Sequence, residues 1–181
     1  MKKPANFLLI AAIALIIAQL QIALAVGNVD YDFKIGADQV QQFGPAITKA
    51  PNGDTIELVG EGIFSTKPKA IAGGGTFIHR DLDGIVIDSG IWVAKSLITF
   101  RTYGSGALQG FPENFEGGRA LVRIELMPDD GSKILKGILR ISSVLGNFPK
   151  NAKEGIKLSV HGSPIKFNME QSGAALFVRH I

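Results

Sequence analysis

The stretch Ile71–Tyr103, IAGGGTFIHRDLDGIVIDSGIWVAKSLITFRTY, decides the fold and contains the only Trp of the chain. β-Branched and aromatic residues dominate it, which is typical of β-strands. Asp83-Gly84 is a tight-turn dipeptide between two such segments. We therefore predict that Gly73–Arg80 pairs as a hairpin with the segment that begins at Ile85.

The second half of this stretch changes the face that carries its apolar side chains. Near its start they share one face: Ile85, Ile87, Ile91 and Val93. Near its end Ile98 and Phe100 occupy the other face. Because successive side chains of a strand point to opposite faces, one regular strand cannot do this. We predict a bulge or bend near Ala94–Ser96.

The N-terminus has the features of a secretory signal peptide. Met1-Lys2-Lys3 is positive, Phe7–Ala18 is an unbroken apolar run, and Ala23-Leu24-Ala25 offers small residues for cleavage. We predict a signal peptide at 1–25 and a secreted or periplasmic domain at 26–181, with no stable membrane insertion after cleavage. An uncleaved anchor is the alternative, but the apolar run is shorter than the roughly 20 residues of a membrane-spanning helix.

The composition is that of a globular protein and excludes several kinds of chemistry. The chain is 46% hydrophobic and 19% charged, and it has no Cys. Disulfides, thiol catalysis and cysteine metal sites are therefore excluded. The chain has 19 Lys and Arg against 16 Asp and Glu, so loss of Lys2 and Lys3 leaves the domain nearly neutral. We predict no nucleic-acid partner.

Alternation predicts further strands on both sides of the central stretch. Their bounds are Val29–Ile35, Asp54–Phe64, Arg119–Met127, Ile134–Leu145, Gly155–His161, Ile165–Glu170 and Ala174–Arg179. Ile134–Leu145 fits a helix nearly as well, but Gly137 and its β-rich surroundings favour a strand. The pattern predicts an all-β fold: a single antiparallel barrel of about eight strands, with a two-sheet β-sandwich as the alternative.

Two glycine-rich segments share the pattern G-x-G-x-F, Gly60–Phe64 and Gly73–Phe77. Gly73-Gly74-Gly75 is followed by neither Lys-Ser/Thr nor a helix, so it does not match a phosphate-binding loop. It predicts a bulge or a close approach of two backbones. The repeated pattern resembles strands of the allene oxide cyclase and dirigent-like β-barrels. The resemblance implies a barrel architecture, and it carries over no catalytic residue.

The sequence offers no catalytic motif. His79, His161 and His180 lack the spacing of a metal-binding pair, so we predict three separate surface or rim histidines and no metal or other cofactor. Their convergence in a zinc or copper site stays open as the alternative. Gly104-Ser105-Gly106 is not a nucleophile elbow, because G-x-S-x-G and its strand-to-helix context are missing.

The predicted binding site lies around a long irregular segment, Thr102–Gly118. Long loops of compact domains are often functional. We predict that a polar rim binds a small polar ligand there, formed by Arg101, Tyr103, Glu113, Glu116 and Arg119. Ordinary solvated loop charges are the alternative.

The sequence therefore predicts a secreted β-barrel module that binds a small molecule or a protein partner at this rim, rather than an enzyme. One alternative is a barrel enzyme of cyclase or isomerase type, with a lumen lined by Trp92 and Phe100. The other is a homo-oligomeric structural subunit that exchanges its N-terminal strand, Val26–Ile35, with a neighbour.

Overall fold

The computed structural model describes residues 30–181, so the predicted signal peptide lies outside the described residues. These residues form eleven β-strands and two short 3₁₀ helices, Asp38–Phe43 and Ala107–Gln109. The strands are β1 Asp30–Ile35, β2 Ala46–Lys49, β3 Thr55–Thr66, β4 Lys69–Arg80, β5 Val86–Ser105, β6 Phe115–Pro128, β7 Leu135–Ser143, β8 Gly155–Val160, β9 Lys166–Phe167, β10 Met169–Ser172 and β11 Ala175–Arg179. The all-β prediction is confirmed.

All eleven strands belong to one antiparallel sheet. The four long strands β3, β4, β5 and β6 pair in chain order. The other edge of β3 carries β2 and β1 end to end, and the other edge of β6 carries β7 and β11. β1 also pairs with β11, so the path β3–β4–β5–β6–β11–β1 returns to β3.

The strand count exceeds the predicted eight or nine for two reasons. β2 lies between the predicted strands Val29–Ile35 and Asp54–Phe64, in a segment for which the alternation predicts no strand. The predicted strand Ile165–Glu170 is divided at Asn168, whose N–H donates to the carbonyl of Lys49. β9 pairs with β8, whereas β10 pairs with β2. The ambiguous segment Ile134–Leu145 is a strand, β7, as predicted.

The register of β5 against β6 shifts three times, first between Ala94 and Ser96. This confirms the bulge predicted at that position. Each shift changes the inward face: Trp92 and Ala94 are buried before the first, and Leu97 is buried after it. Near the start of β5 the face that carries Trp92 points into the core. The opposite face, which carries Ile85 and Ile87, therefore points outward.

The hairpin at Asp83-Gly84 is confirmed. Gly84 has a φ of +81°, and its N–H donates to the carbonyl of Asp81. The prediction of an irregular segment from Thr102 to Gly118 is wrong at both ends. β5 continues to Ser105, and β6 begins at Phe115. A register shift between Thr102 and Gly104 lets this pairing continue past the point where the alternation stops.

Aromatic rings fill the core between the long strands and β1. Trp92, Phe33, Phe64 and Phe177 are fully buried. The rings of Phe33 and Trp92 lie 6.3 Å apart, and those of Phe64 and Phe177 lie 5.9 Å apart in an edge-to-face arrangement. Such contacts add stabilisation beyond the area that the rings bury.

The glycines of β3 and β4 make room for these rings. A Cβ at Gly60 would lie 2.5 Å from Trp92 Cζ2, and one at Gly62 would lie 2.6 Å from Phe33 Cε1. A Cβ at Gly75 would lie 1.9 Å from the carbonyl oxygen of Val59. The register of β3 against β4 is continuous, so the glycine run is a close approach of two backbones and not a bulge.

We predict that Gly75→Ala destabilises the fold more than Gly84→Ala does. The added methyl at Gly75 meets backbone atoms that move only if β3 and β4 separate, so we expect a loss of about 3 kcal/mol or more. Gly84 has open space around it, and its left-handed conformation costs an Ala only about 1–2 kcal/mol. Urea denaturation of both variants measures the difference. Equal losses would contradict the close approach.

Candidate functional site

The five predicted site residues lie at one end of the sheet, where β5 ends and β6 begins, but they do not form one exposed rim. Arg101, Glu113 and Arg119 are exposed. Tyr103 is 9% exposed and Glu116 is 6% exposed. Both are buried instead of forming part of an exposed rim: Tyr103 is the unpaired residue at the register shift between Thr102 and Gly104, and Glu116 is paired with both Ser105 and Phe177.

Glu116 is held by side chains from three other strands. Its Oε2 accepts hydrogen bonds from the Tyr31 hydroxyl at 3.1 Å and the Thr102 hydroxyl at 2.7 Å. Its Oε1 lies 3.1 Å from Arg179 Nε, an ion pair outside hydrogen-bond geometry. Burial of a carboxylate is costly unless such partners compensate for the lost water. Glu116 therefore joins β1, β5 and β11 to β6, which is a structural task.

Tyr31 is fixed between this carboxylate and the aromatic core. Its ring stacks on Phe64 at 5.2 Å and contacts Phe100 at 4.8 Å. Burial, followed by the charge and the hydrogen bond of Glu116, raises the pKa of Tyr31 to about 12, against the opposing effects of Arg179 and Thr102. Tyr31 is therefore a neutral hydrogen-bond donor over the physiological pH range.

Arg101 and Arg119 form the notable feature of the exposed part of the site. They are direct partners in the β5–β6 ladder, so their Cβ atoms lie about 5 Å apart on the same face. Within residues 30–181 neither side chain takes part in an ion pair or a hydrogen bond. Like charges directly opposite each other destabilise a sheet, and an anion placed between two guanidinium groups removes that repulsion.

Four exposed lysines share this end of the sheet, on the turns that join β3 to β4 and β7 to β8. They are Lys67, Lys69, Lys150 and Lys153, and none forms an ion pair in the described part of the chain. We call these lysines, together with Arg101 and Arg119, the basic end.

Besides the buried Glu116, four acids lie near the basic end, and they differ in availability: Asp30 and Asp32 at the start of β1, Glu113 and Glu154. Glu113 is exposed on the segment between β5 and β6. Glu154 accepts hydrogen bonds from the backbone N–H groups of Val144 and Ala175. Six exposed cations outnumber the one exposed acidic side chain, Glu113, while the other acids of this end are partly or fully buried, so the exposed surface has a positive potential that attracts anions over about 10 Å.

The three histidines do not meet. His79 lies 3.2 Å from a carboxylate oxygen of Asp54, and His180 lies 3.0 Å from one of Asp32. His161 lies in the exposed turn after β8. Within residues 30–181 no group of three or more His, Cys, Asp or Glu side chains is placed to hold a metal ion.

A shallow groove of about 210 Å³ lies on the outer face of β1, β3 and β4, lined by Asp32, Lys34, Glu61, Gly62, Ile63, Ala72 and Gly73. Its central cation is already neutralised, since Lys34 Nζ lies 2.8 Å from Glu61 and 3.0 Å from Asp38. The charges of this groove thus satisfy each other, whereas those of the basic end do not. We therefore place the candidate site at the basic end.

The lysines of the basic end lie on separate turns, so no local sequence motif predicts that they share a surface. Hairpin connectivity was the signal that unites them, since alternate turns of an up-and-down sheet lie at the same end. No sequence signal links Glu116 with Tyr31, which is 85 positions away. Pairs so distant in sequence meet only through the tertiary fold.

Comparison with known proteins finds no family for this chain. No family model matches the sequence, and no curated protein or solved structure matches it significantly. In the part of the chain that the structure describes, no helix is long and apolar enough to cross a membrane. The function must therefore be inferred from the residues of the site.

We predict that Tyr31 ionises near pH 12 and that Glu116→Gln lowers this pKa while leaving it above 10. The charge of Glu116 is a smaller cause than burial, so part of the shift remains. Because the pKa in the unfolded chain is near 10, the contribution of Tyr31 to the free energy of unfolding is constant below pH 10 and falls between pH 10 and 12. Ultraviolet titration of tyrosinate measures the pKa, with Tyr31→Phe identifying the signal.

Glu113→Gln is the matched control for this titration. Glu113 is exposed and touches neither Tyr31 nor Arg179, so the high-pH ionisation step should be unchanged in that variant. An equal shift in both variants would show that Glu116 has no special contact with the tyrosine.

Proposed function

We propose that this chain is an extracytoplasmic, non-enzymatic β-barrel module whose basic end binds a partner that presents carboxylates. The observation that carries the proposal is the exposed pair Arg101 and Arg119, which face each other without an anion of the described chain between them. The sequence features of the N-terminus are the support for export.

The barrel part of the proposal rests on the returning path of strand pairs. A sheet whose last strand pairs with its first has no free edge within that ring, which is the defining property of a barrel. The inward side chains of the ring include Phe33, Phe64, Trp92 and Phe177, which contact one another. This arrangement is consistent with the proposed likeness to allene oxide cyclase and dirigent-like barrels.

The packing of the core favours binding over catalysis. Trp92 and Phe100 were the expected lining of a catalytic lumen, yet Trp92 is 1% exposed and Phe100 packs against Phe64 with ring centroids 4.8 Å apart. Glu116, the buried carboxylate nearest these rings, already contacts three protein side chains. An enzyme of cyclase type needs substrate space and an available acid or base at this position.

The pairing of the N-terminal strand β1 argues against strand exchange between copies. β1 pairs with β3 on one side and β11 on the other, both within the same chain. Exchange of β1 would break eleven residue pairs before new ones form. A partner is therefore better accommodated at the exposed cations than at β1.

Two guanidinium groups suit a carboxylate-bearing partner for geometric reasons. Each guanidinium is planar and presents parallel N–H donors that match the two oxygens of a carboxylate. The four lysines add attraction that depends on ionic strength, which favours encounter more than orientation. Arg101 and Arg119 are thus the residues that would orient the carboxylates of the partner.

We predict that Arg101→Gln/Arg119→Gln binds poly-L-glutamate at least about tenfold more weakly than the native protein in low salt. Loss of one charge-assisted contact of about 1.5 kcal/mol already accounts for this lower bound, and loss of both contacts corresponds to more than about a hundredfold. The control is Lys133→Gln/Lys136→Gln, which removes the same net charge from exposed positions at the opposite end of the sheet. Titration calorimetry measures both affinities.

Thermal unfolding separates binding from structure in this experiment. The arginine double variant should be as stable as the native protein or slightly more stable, because it removes a like-charge pair. Equal weakening by both double variants would mean that net charge alone attracts the polyanion, and the proposal for Arg101 and Arg119 would fail.

A further inference from the structure

The turn between β4 and β5 exposes four large apolar side chains. Their exposed fractions are 67% for Leu82, 62% for Ile85, 50% for Val86 and 52% for Ile87. Adjacent strand residues point to opposite faces, so the exposure of Val86 together with Ile85 and Ile87 means that both faces of the turn meet solvent. We call Asp81–Asp88 the apolar hairpin. Clustered exposed apolar surface marks an interaction site.

The apolar hairpin is rigid and lies among carboxylates. Asp81 Oδ1 accepts hydrogen bonds from the N–H groups of Asp83 and Ile85 at 3.0 and 2.8 Å. The neighbouring turn after β6 brings further carboxylates close, since Asp129 Oδ2 accepts a hydrogen bond from the Ser89 hydroxyl. This end of the sheet carries five acids, Asp81, Asp83, Asp88, Asp129 and Asp130, against the two exposed lysines Lys133 and Lys136, so its net charge is negative.

The basic end also exposes apolar side chains. Leu108 is fully exposed, Phe111 is 45% exposed and Phe148 is 38% exposed. The two loops that carry them are joined, because Gln109 Oε1 accepts a hydrogen bond from the N–H of Gly146 at 2.7 Å. The basic end and the apolar hairpin therefore both expose apolar side chains, but the charges around them are opposite in sign.

The two surfaces lie at opposite ends of one strand. The apolar hairpin includes the first residues of β5, and Leu108 and Phe111 follow its last residue, Ser105. A strand of 20 residues separates them by up to about 60 Å. One copy therefore cannot join its own two ends, but two copies can join unlike ends.

We propose that the apolar hairpin of one copy docks on the basic end of a second copy, head to tail. The proposal rests on the proposed function, for which it names the carboxylate-bearing partner. Contact between like ends would place one net negative surface against another, or six cations against six, and is disfavoured. A contact between unlike ends leaves one free surface of each kind, so it continues as an open chain of copies.

Sedimentation velocity of the purified protein in low salt tests this arrangement. We expect the average mass to rise with concentration past two chains, and about 1 M salt to reduce it. Leu82→Ser/Ile85→Ser removes the docking surface at one end, and Arg101→Gln/Arg119→Gln removes it at the other. Each double variant alone should associate at least tenfold more weakly. Ile134→Ser, an exposed position at the hairpin end outside the apolar hairpin, should associate normally.

Mixing the two double variants is the decisive step. Each retains the surface that the other has lost, so the mixture should form a complex of two chains and no larger one. Three results would overturn the proposal: a native mass that stays at one chain, a native mass that stops at two chains, or a mixture without the two-chain complex.

Binding of poly-L-glutamate by Leu82→Ser/Ile85→Ser separates this inference from the proposed function. Its basic end is intact, so it should bind the polymer like the native protein. Binding without self-association of the native protein would overturn only the head-to-tail contact. Self-association with the two-chain mixture but without polymer binding would overturn the proposed general affinity for carboxylates.

Discussion

The fold depends on a constraint of volume between β3 and β4. The two strands approach so closely at Val59 and Gly75 that no side chain fits between them, and the rings of Trp92 and Phe33 occupy the space that side chains at Gly60 and Gly62 would take. Large rings bury much apolar area, and a domain without disulfides relies on such burial for its stability. Glycine in a strand is normally unfavourable because it costs backbone entropy. Here the aromatic packing that it permits offsets that cost.

A second constraint keeps the ends of distant strands in place. Glu116 contacts side chains of β1, β5 and β11, which are far apart in sequence. The carboxylate of Glu116 accepts hydrogen bonds from the hydroxyl groups of Tyr31 and Thr102, which lie at the margin of the aromatic core. The same pairing occupies both oxygens of Glu116, so the exposed charges at this end are the cations of the proposed binding surface. Glu116 has a structural role because its side chain is buried, whereas Arg101 and Arg119 are exposed.

Much of the fold follows from local sequence patterns, whereas most of the site does not. The hairpin at Gly84, the bulge after Ala94 and the close approach at Gly75 each have a local cause in turn chemistry, alternation or glycine content. Which face of β5 points inward is decided by the ring of Trp92 and not by the greater number of apolar residues opposite, so alternation alone gave no answer. Glu113 and Glu116 differ by three positions, and only pairing on both sides of Glu116 distinguishes their environments.

β5 also has a mechanical consequence. It is hydrogen-bonded to β4 along its first half and to β6 along nearly all of its length, and it runs from one exposed end of the domain to the other. A force applied between those ends acts parallel to the strand, so it loads many backbone hydrogen bonds together in shear instead of opening them one at a time. The domain is therefore built to resist tension along the axis on which its two exposed surfaces lie.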